Sequence, residues 1–129
     1  MSATLAPGLT LDTGALIALE RRRQRMLTLL RGAEASGLTV TAPANVIAEW
    51  WRKRSRLAEQ ILAAIEVEPM DEELAVLVGE TLAAVRGATL VDANVIVSAA
   101  RRGDIVLTSD VEDFRPLSSR FPGVRVLQV

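Results

Sequence analysis

The stretch Leu9-Thr10-Leu11-Asp12-Thr13-Gly14-Ala15-Leu16-Ile17 decides how the rest of the chain is read. Leu9-Thr10-Leu11 is a short strand candidate. Asp12-Thr13 then opens a helix running through Leu19, because Asp accepts hydrogen bonds from the free N–H groups of a first turn. The stretch is therefore a strand that delivers a carboxylate to the start of a helix. Ile105-Val106-Leu107-Thr108-Ser109-Asp110 repeats the pattern near the other end. Ile105–Leu107 is apolar throughout, as expected of a strand covered on both faces. Ser109–Phe114 reads as a turn and a short helix.

Between these two stretches, helices and strands alternate. A helix over Arg21–Ser36 is stopped by Gly37, and Leu38–Thr41 forms a second strand. Ala42-Pro43 leads into a helix containing Val46, Ile47 and Trp50, and another helix covers Ser55–Ile65. Val67 centres a weak third strand closed by Pro69. Asp71-Glu72-Glu73 begins a helix reaching Arg86, with acids in its first turn as the helix dipole favours. Asp92–Arg102 is a helix stopped by Gly103, and Val124–Val129 is the last strand. Residues 1–8 read as a loose leader before a single domain, with Pro7-Gly8 marking a turn. This alternation predicts an α/β fold with a mainly parallel central sheet and right-handed crossovers. Sites in such sheets form outside the carboxyl ends of the strands.

Composition narrows the chemistry. The chain has 129 residues, 50% of them hydrophobic, and neither cysteine nor histidine. A disordered chain is excluded by this hydrophobicity. Disulfides, thiolate or histidine metal sites and thiol nucleophiles are excluded with Cys and His. Carboxylates, hydroxyls, amides and arginines remain. Net charge is −1, but residues 1–56 carry +5 and residues 57–129 carry −6. Lys53 is the sole lysine among fifteen basic residues. Arginine suits planar contacts with phosphate, although a GC-rich coding sequence is the plainer source of the bias. No apolar run is long enough to span a membrane, and no secretory signal is visible. The expected location is the cytoplasm.

Asp12 and Asp110 follow strands that a parallel sheet would place side by side. Asp92 begins a helix directly after Leu90-Val91. Glu49 lies about one and a half turns past Pro43, and Asp113 is three residues beyond Asp110. Each has an ordinary alternative. Asp12, Asp92 and Asp110 suit helix caps, Asp110 with Asp113 resembles a capping box, and Glu49 suits a solvated helix. As a set, converging carboxylates repel and need compensation. With no His or Cys, a hard cation bound through oxygen, Mg²⁺ or Mn²⁺, supplies it. Such a site suits phosphoryl chemistry.

The segments Leu11–Ile17, Val46-Ile47-Ala48-Glu49, Val91–Ile96 and Leu107–Phe114 resemble those of a PIN domain, specifically a VapC-type toxin ribonuclease. The likeness runs from Leu9 to Val129. It implies a three-layer α/β/α fold around a parallel sheet. It also implies Mg²⁺- or Mn²⁺-dependent cleavage of single-stranded RNA, with Asp12, Glu49, Asp92 and Asp110 as catalytic acids. Asp12, Asp92 and Asp110 would hold the metal. Asp113 would lie behind them or bind a second ion, and Thr13 and Ser109 are hydroxyl partners to the acids or to water. A cognate antitoxin and a homodimer are the implied protein partners. The chain departs from the pattern in its longer leader and in Ala48, where a serine often stands.

Two basic clusters complete the reading: Arg21, Arg22, Arg23 and Arg25, then Trp50, Trp51, Arg52, Lys53, Arg54 and Arg56. Arg21, Arg22, Arg25, Trp51, Arg52 and Arg54 are candidates for RNA or antitoxin contact. Aromatic rings among basic groups grip single strands, and Trp and Arg are also frequent protein-interface anchors. The ordinary alternatives are a solvated charged face and burial of at least one tryptophan. Two other functional classes remain open. One is a PIN domain that only binds RNA or protein. The other is an Asp-based phospho-acceptor domain, which needs an early acidic pair and a late lysine that this chain lacks.

Overall fold

The computed structural model describes residues 7–129. The expected leader therefore lies outside the described residues over 1–6. Gly8 is already buried, with its N–H donating to Asp104 Oδ1 at 3.0 Å.

The strands are β1 (Leu9–Leu11), β2 (Val40–Pro43), β3 (Glu66–Glu68), β4 (Ile105–Thr108) and β5 (Val126–Gln128). They form one sheet in the order β3-β2-β1-β4-β5, with every pairing parallel. The helices are α1 (Thr13–Glu20), α2 (Gln24–Ala35), α3 (Ala44–Trp50), α4 (Arg56–Ala63), α5 (Glu72–Ala84), α6 (Leu90–Arg102) and α7 (Arg115–Ser118). A 3₁₀ turn covers Val111–Phe114. The chain runs outward from β1 through β2 to β3, then crosses back over β1 to β4 and β5. Right-handed crossovers place α1–α4 on one face and α5 and α6 on the other. In keeping with this, α1 packs on α2, α3 and α4, while α6 packs on α5 and on β1, β2 and β4. The expected α/β/α sandwich is thus built on a wholly parallel sheet.

Leu9, Leu11, Ala42 and Leu107 join Leu16, Met26, Val46 and Ile96 in the buried core. Each large apolar side chain so buried contributes about 1.5–3 kcal/mol. Strand alternation sends Thr10 and Thr108 to the opposite side from Leu9, Leu11 and Leu107. Both threonines are fully buried, so this face carries a line of hydroxyls.

Several boundaries differ from expectation for physical reasons. The helix expected from Arg21 starts at Gln24, because Arg21–Arg23 closes α1. Arg23 N–H donates to the Ala18 carbonyl and Arg22 N–H to the Leu19 carbonyl, which is the Schellman pattern. Arg22 takes the left-handed conformation, φ +54°, in place of the usual glycine. The second strand, expected at Leu38–Thr41, is Val40–Pro43 because Thr41–Pro43 pairs with Glu66–Glu68. The helix expected from Asp92 begins at Leu90, with Thr89 as its cap. The last strand is Val126–Gln128 rather than Val124–Val129.

At the C-terminus of α6, Arg102 ties the layers together. Its guanidinium donates to Asp104 Oδ2 (2.9 Å), Thr10 Oγ1 (2.9 Å) and the Glu68 carboxylate. Asp104 is 6% exposed and also accepts from the Thr10 hydroxyl. Removing one partner of such a buried group leaves the others uncompensated. Arg102→Met is expected to lower unfolding stability by about 3 kcal/mol, read as a lower urea midpoint with an unchanged slope.

Candidate active site

Asp12 stands at the carboxyl end of β1, and Asp110 lies two residues past the end of the neighbouring β4. Here the chain's crossovers diverge, toward β2 on one side and β5 on the other. At such a divergence α/β sheets leave a crevice outside the strand ends. Asp12 caps α1, accepting the Ala15 N–H at 2.8 Å, so its cap role and its position at the crevice coexist. It is only 7% exposed. Burial, opposed by hydrogen bonds from Thr108 and the Ala15 N–H and reinforced by the charges of Asp92 and Asp113, pushes its carboxyl up to about 6.

Asp92 is not a cap. Its N–H donates to Thr89 Oγ1 at 3.1 Å, and its carboxylate, in the first turn of α6, is itself hydrogen-bonded by Thr89. Burial raises its carboxyl, opposed by a hydrogen bond from Thr89, with the charges of Asp113, Glu49 and Asp110 adding to the rise. Asp110 caps the 3₁₀ turn, Oδ1 accepting from the Glu112 N–H at 3.1 Å. Glu49 is held by the Thr13 hydroxyl. The five acids singled out in the sequence therefore act on one another electrostatically. None of the ion pairs found among the described residues involves them.

The donor set is entirely oxygen, forms no ion pair among the described residues and includes one nearly buried carboxylate. This chemistry fits a hard divalent ion. Among the described residues no three acids are drawn together closely enough to chelate an ion as they stand. Mutual repulsion of bare carboxylates opposes that last approach.

Ser109 is exposed, and its position constrains Gly14. A Cβ on Gly14 would lie 2.0 Å from Ser109 Oγ and 2.9 Å from Ser109 Cβ. Glycine at this helix position is therefore imposed by close approach of the β4 loop. Two contributors went unseen in the sequence reading. Thr108, buried at the end of β4, accepts the Asp110 N–H at 3.0 Å and bonds Asp12. Thr89 caps α6, and the spacing Thr89-x-x-Asp92 is the capping-box signal that could have revealed it.

A cleft of about 770 Å³ opens beside Thr13 and Glu49, lined also by Arg21, Trp51, Arg52 and Lys53. Trp50 is 5% exposed and belongs to the core, with its indole N–H donating to Glu20 at 2.6 Å. Trp51 is half-buried and packs edge-on against it, with the Arg54 guanidinium 5.5 Å from its ring centre. Arg22 and Arg25 do not line the cleft, and Arg25 instead donates to the Gln128 carbonyl at 2.6 Å.

Residues 9–117 match the PIN domain family. No curated protein sequence matches the chain. The fold is similar to that of DNA-bound VapBC from Salmonella typhimurium, with TM-score 0.69 and 18% identity over 95% of this chain and 98% of that one. It is similar to VapBC2 from Rickettsia felis bound to a promoter fragment, at 0.69 and 17% over 94% and 98%. A toxin–antitoxin complex from Klebsiella pneumoniae matches at 0.68 and 16% over 95% and 100%.

The raised carboxyl of Asp12 has a stability consequence. The unfolded value is 3.8 and the folded one about 6, so the folded chain holds the proton more tightly. Stability therefore falls as pH rises from about 4 to about 6, by roughly 3 kcal/mol for this group. Below that window the difference vanishes. Asp12→Asn keeps the cap and loses the charge. In EDTA it is expected to be the more stable protein at pH 7.5, by about 2–3 kcal/mol, and to match wild type near pH 4. Denaturant titrations across that range check this.

Proposed function

The chain belongs to the PIN-domain family, and from that premise we propose that it is a metal-dependent endoribonuclease cutting single-stranded RNA, the VapC-type toxin of a toxin–antitoxin pair. The observation that supports this reading is the electrostatic coupling that links Asp12, Glu49, Asp92, Asp110 and Asp113 near the carboxyl ends of β1 and β4, none of them in an ion pair among the described residues. Asp12, Asp92 and Asp110 would hold Mg²⁺ or Mn²⁺, with Glu49 completing the set and Asp113 behind it or at a second ion. When bound, the ion polarises the phosphodiester and acidifies water for in-line attack.

The chain's own residues supply position and binding. Asp12 is ionised above about pH 6, and its orientation is fixed by the Ala15 N–H and Thr108. Thr13 holds Glu49 at the cleft edge, and Ser109 lies against Gly14 beside it. Arg21, Arg52 and Lys53 would neutralise successive phosphates along the cleft. The half-buried Trp51 offers a ring on which a base can stack. Arg22, Arg25 and Arg54 lie outside this lining and would extend the basic surface to RNA or antitoxin. The VapBC likenesses support a cognate antitoxin as the protein partner, and a homodimer and a cytoplasmic location belong to the same proposal. Among the described residues no helix is long and apolar enough to cross a membrane.

A binding-only PIN domain is favoured by one observation, the lack of a closed chelating cluster among the described residues. Mn²⁺ separates the two readings. A cation that binds only the folded chain stabilises it by about 2.7 kcal/mol at 100-fold excess over its Kd, or several degrees of Tm at roughly 3–6 °C per kcal/mol. Wild type is expected to show this shift and to cleave single-stranded RNA. Asp12→Asn and Asp92→Asn are each expected to lose at least about 100-fold in cleavage with unchanged circular dichroism, at ~1.4 kcal/mol per tenfold. A wild type that neither shifts in millimolar Mn²⁺ nor cleaves RNA would be a binding module. Replacing Arg52 and Lys53 together by alanine is expected to raise KM severalfold and weaken its salt dependence, while kcat holds.

A further inference from the structure

We propose that Gln128, in the last strand, is a positioning residue that clamps the loop carrying Asp110. The proposal rests on the reading of Asp110 as a metal ligand. β5 pairs with β4 in the register Thr108↔Gln128, so both side chains leave the same face of the sheet. From there the Gln128 amide reaches across the loop. Its Nε2 donates to the Ser109 carbonyl, and its Oε1 accepts the Val111 N–H at 3.2 Å. These two backbone groups flank Asp110. The other hydrogen bonds at Asp110 are local. Its N–H donates to Thr108, its carboxylate accepts from Glu112, and its carbonyl accepts from Asp113. Gln128 is thus the tie that fixes the Ser109–Val111 loop against a separate strand.

The side-chain type is what this geometry needs. One group must donate and accept at once, and an amide does so. A carboxylate keeps only the acceptor, a cationic side chain only the donor, and methionine neither. The clamp is itself held from the opposite layer. Arg25, near the start of α2, donates through Nε to the Gln128 carbonyl at 2.6 Å, and the Val129 N–H donates to the Thr108 carbonyl at 2.7 Å. The end of β5 therefore has fixed neighbours on both sides. A metal ligand on a short exposed loop gains affinity when its position is set before the ion arrives.

The test uses the full chain carrying Gln128→Met, which keeps the length of the side chain and removes both hydrogen bonds. Amide exchange of Val111 in metal-free protein reads the clamp. The Mn²⁺ concentration giving half the maximal thermal shift reads its consequence. Gln128→Met is expected to speed Val111 exchange about tenfold and raise the Mn²⁺ midpoint about tenfold, as loss of one to two hydrogen bonds implies. Its metal-free Tm should stay within about 2 °C of wild type, since the residue is exposed. Gln128→Glu, which keeps the acceptor, should retain most of the Val111 protection. Unchanged exchange in Gln128→Met, or an unchanged midpoint alongside a wild type that binds Mn²⁺, would overturn the proposal. A wild type without any Mn²⁺ shift would overturn it too, the flat wild-type curve marking the metal reading as the step at fault.

Discussion

The structure turns on one ionisable group kept almost wholly out of water. Asp12 is delivered to the middle of the sheet edge by β1, which pairs on both sides. It cannot retreat into solvent, because the same carboxylate caps α1. Two local demands, closing a strand and starting a helix, therefore hold a charge where charge is unfavourable. The surroundings respond differently at the two ends of the α6 face. Near the amino ends of β1 and β4, Asp104 meets Arg102 and two hydroxyl or amide donors. At the carboxyl ends, Asp92 and Asp113 act on Asp12, Glu49 and Asp110 act on Asp92, and none of these acids forms an ion pair among the described residues. The first arrangement is a finished structural tie, and the second is an electrostatic deficit that, on the proposed function, an outside cation would relieve.

Much of the fold could be read from residue order. The strand–Asp–helix stretch at Leu9–Leu19 and the apolar run at Ile105–Leu107 appear nearly as read, because short, fully buried strands announce themselves by composition. The start of α2 was misplaced because a left-handed turn at Arg22 is invisible without glycine. β2 was misplaced because its register with β3 is a tertiary fact, and Ala42-Pro43, read as the lead into a helix, closes the strand.

At the site, the acids and their order were legible, since a carboxylate after a strand end is a local pattern. Their supports were not. Thr108 and Gln128 matter through contacts that depend on which strands are neighbours, and Gln128 is 18 residues from Asp110 in sequence. Gly14 and Ser109 likewise could not be linked until the β4 loop was seen resting on the first turn of α1. Trp50 and Trp51, adjacent in sequence, differ in burial: Trp50 packs into the core with its indole N–H donating to Glu20 at the cleft wall, while the half-buried Trp51 presents more of its ring to the cleft.

The pairing of β1 with β4 joins residues 9–11 to residues 105–107. Bringing such distant segments together is slow relative to forming α1 or α2, because chain entropy is lost before the contacts form. Asp12, Glu49 and Asp92 are all synthesised before the strand that sets Asp110 beside Asp12. A chain still emerging from the ribosome thus holds most of the acids without the edge that gathers them. The site therefore assembles only after β4 has been made, and whatever chemistry resides there waits for the pairing of β1 with β4.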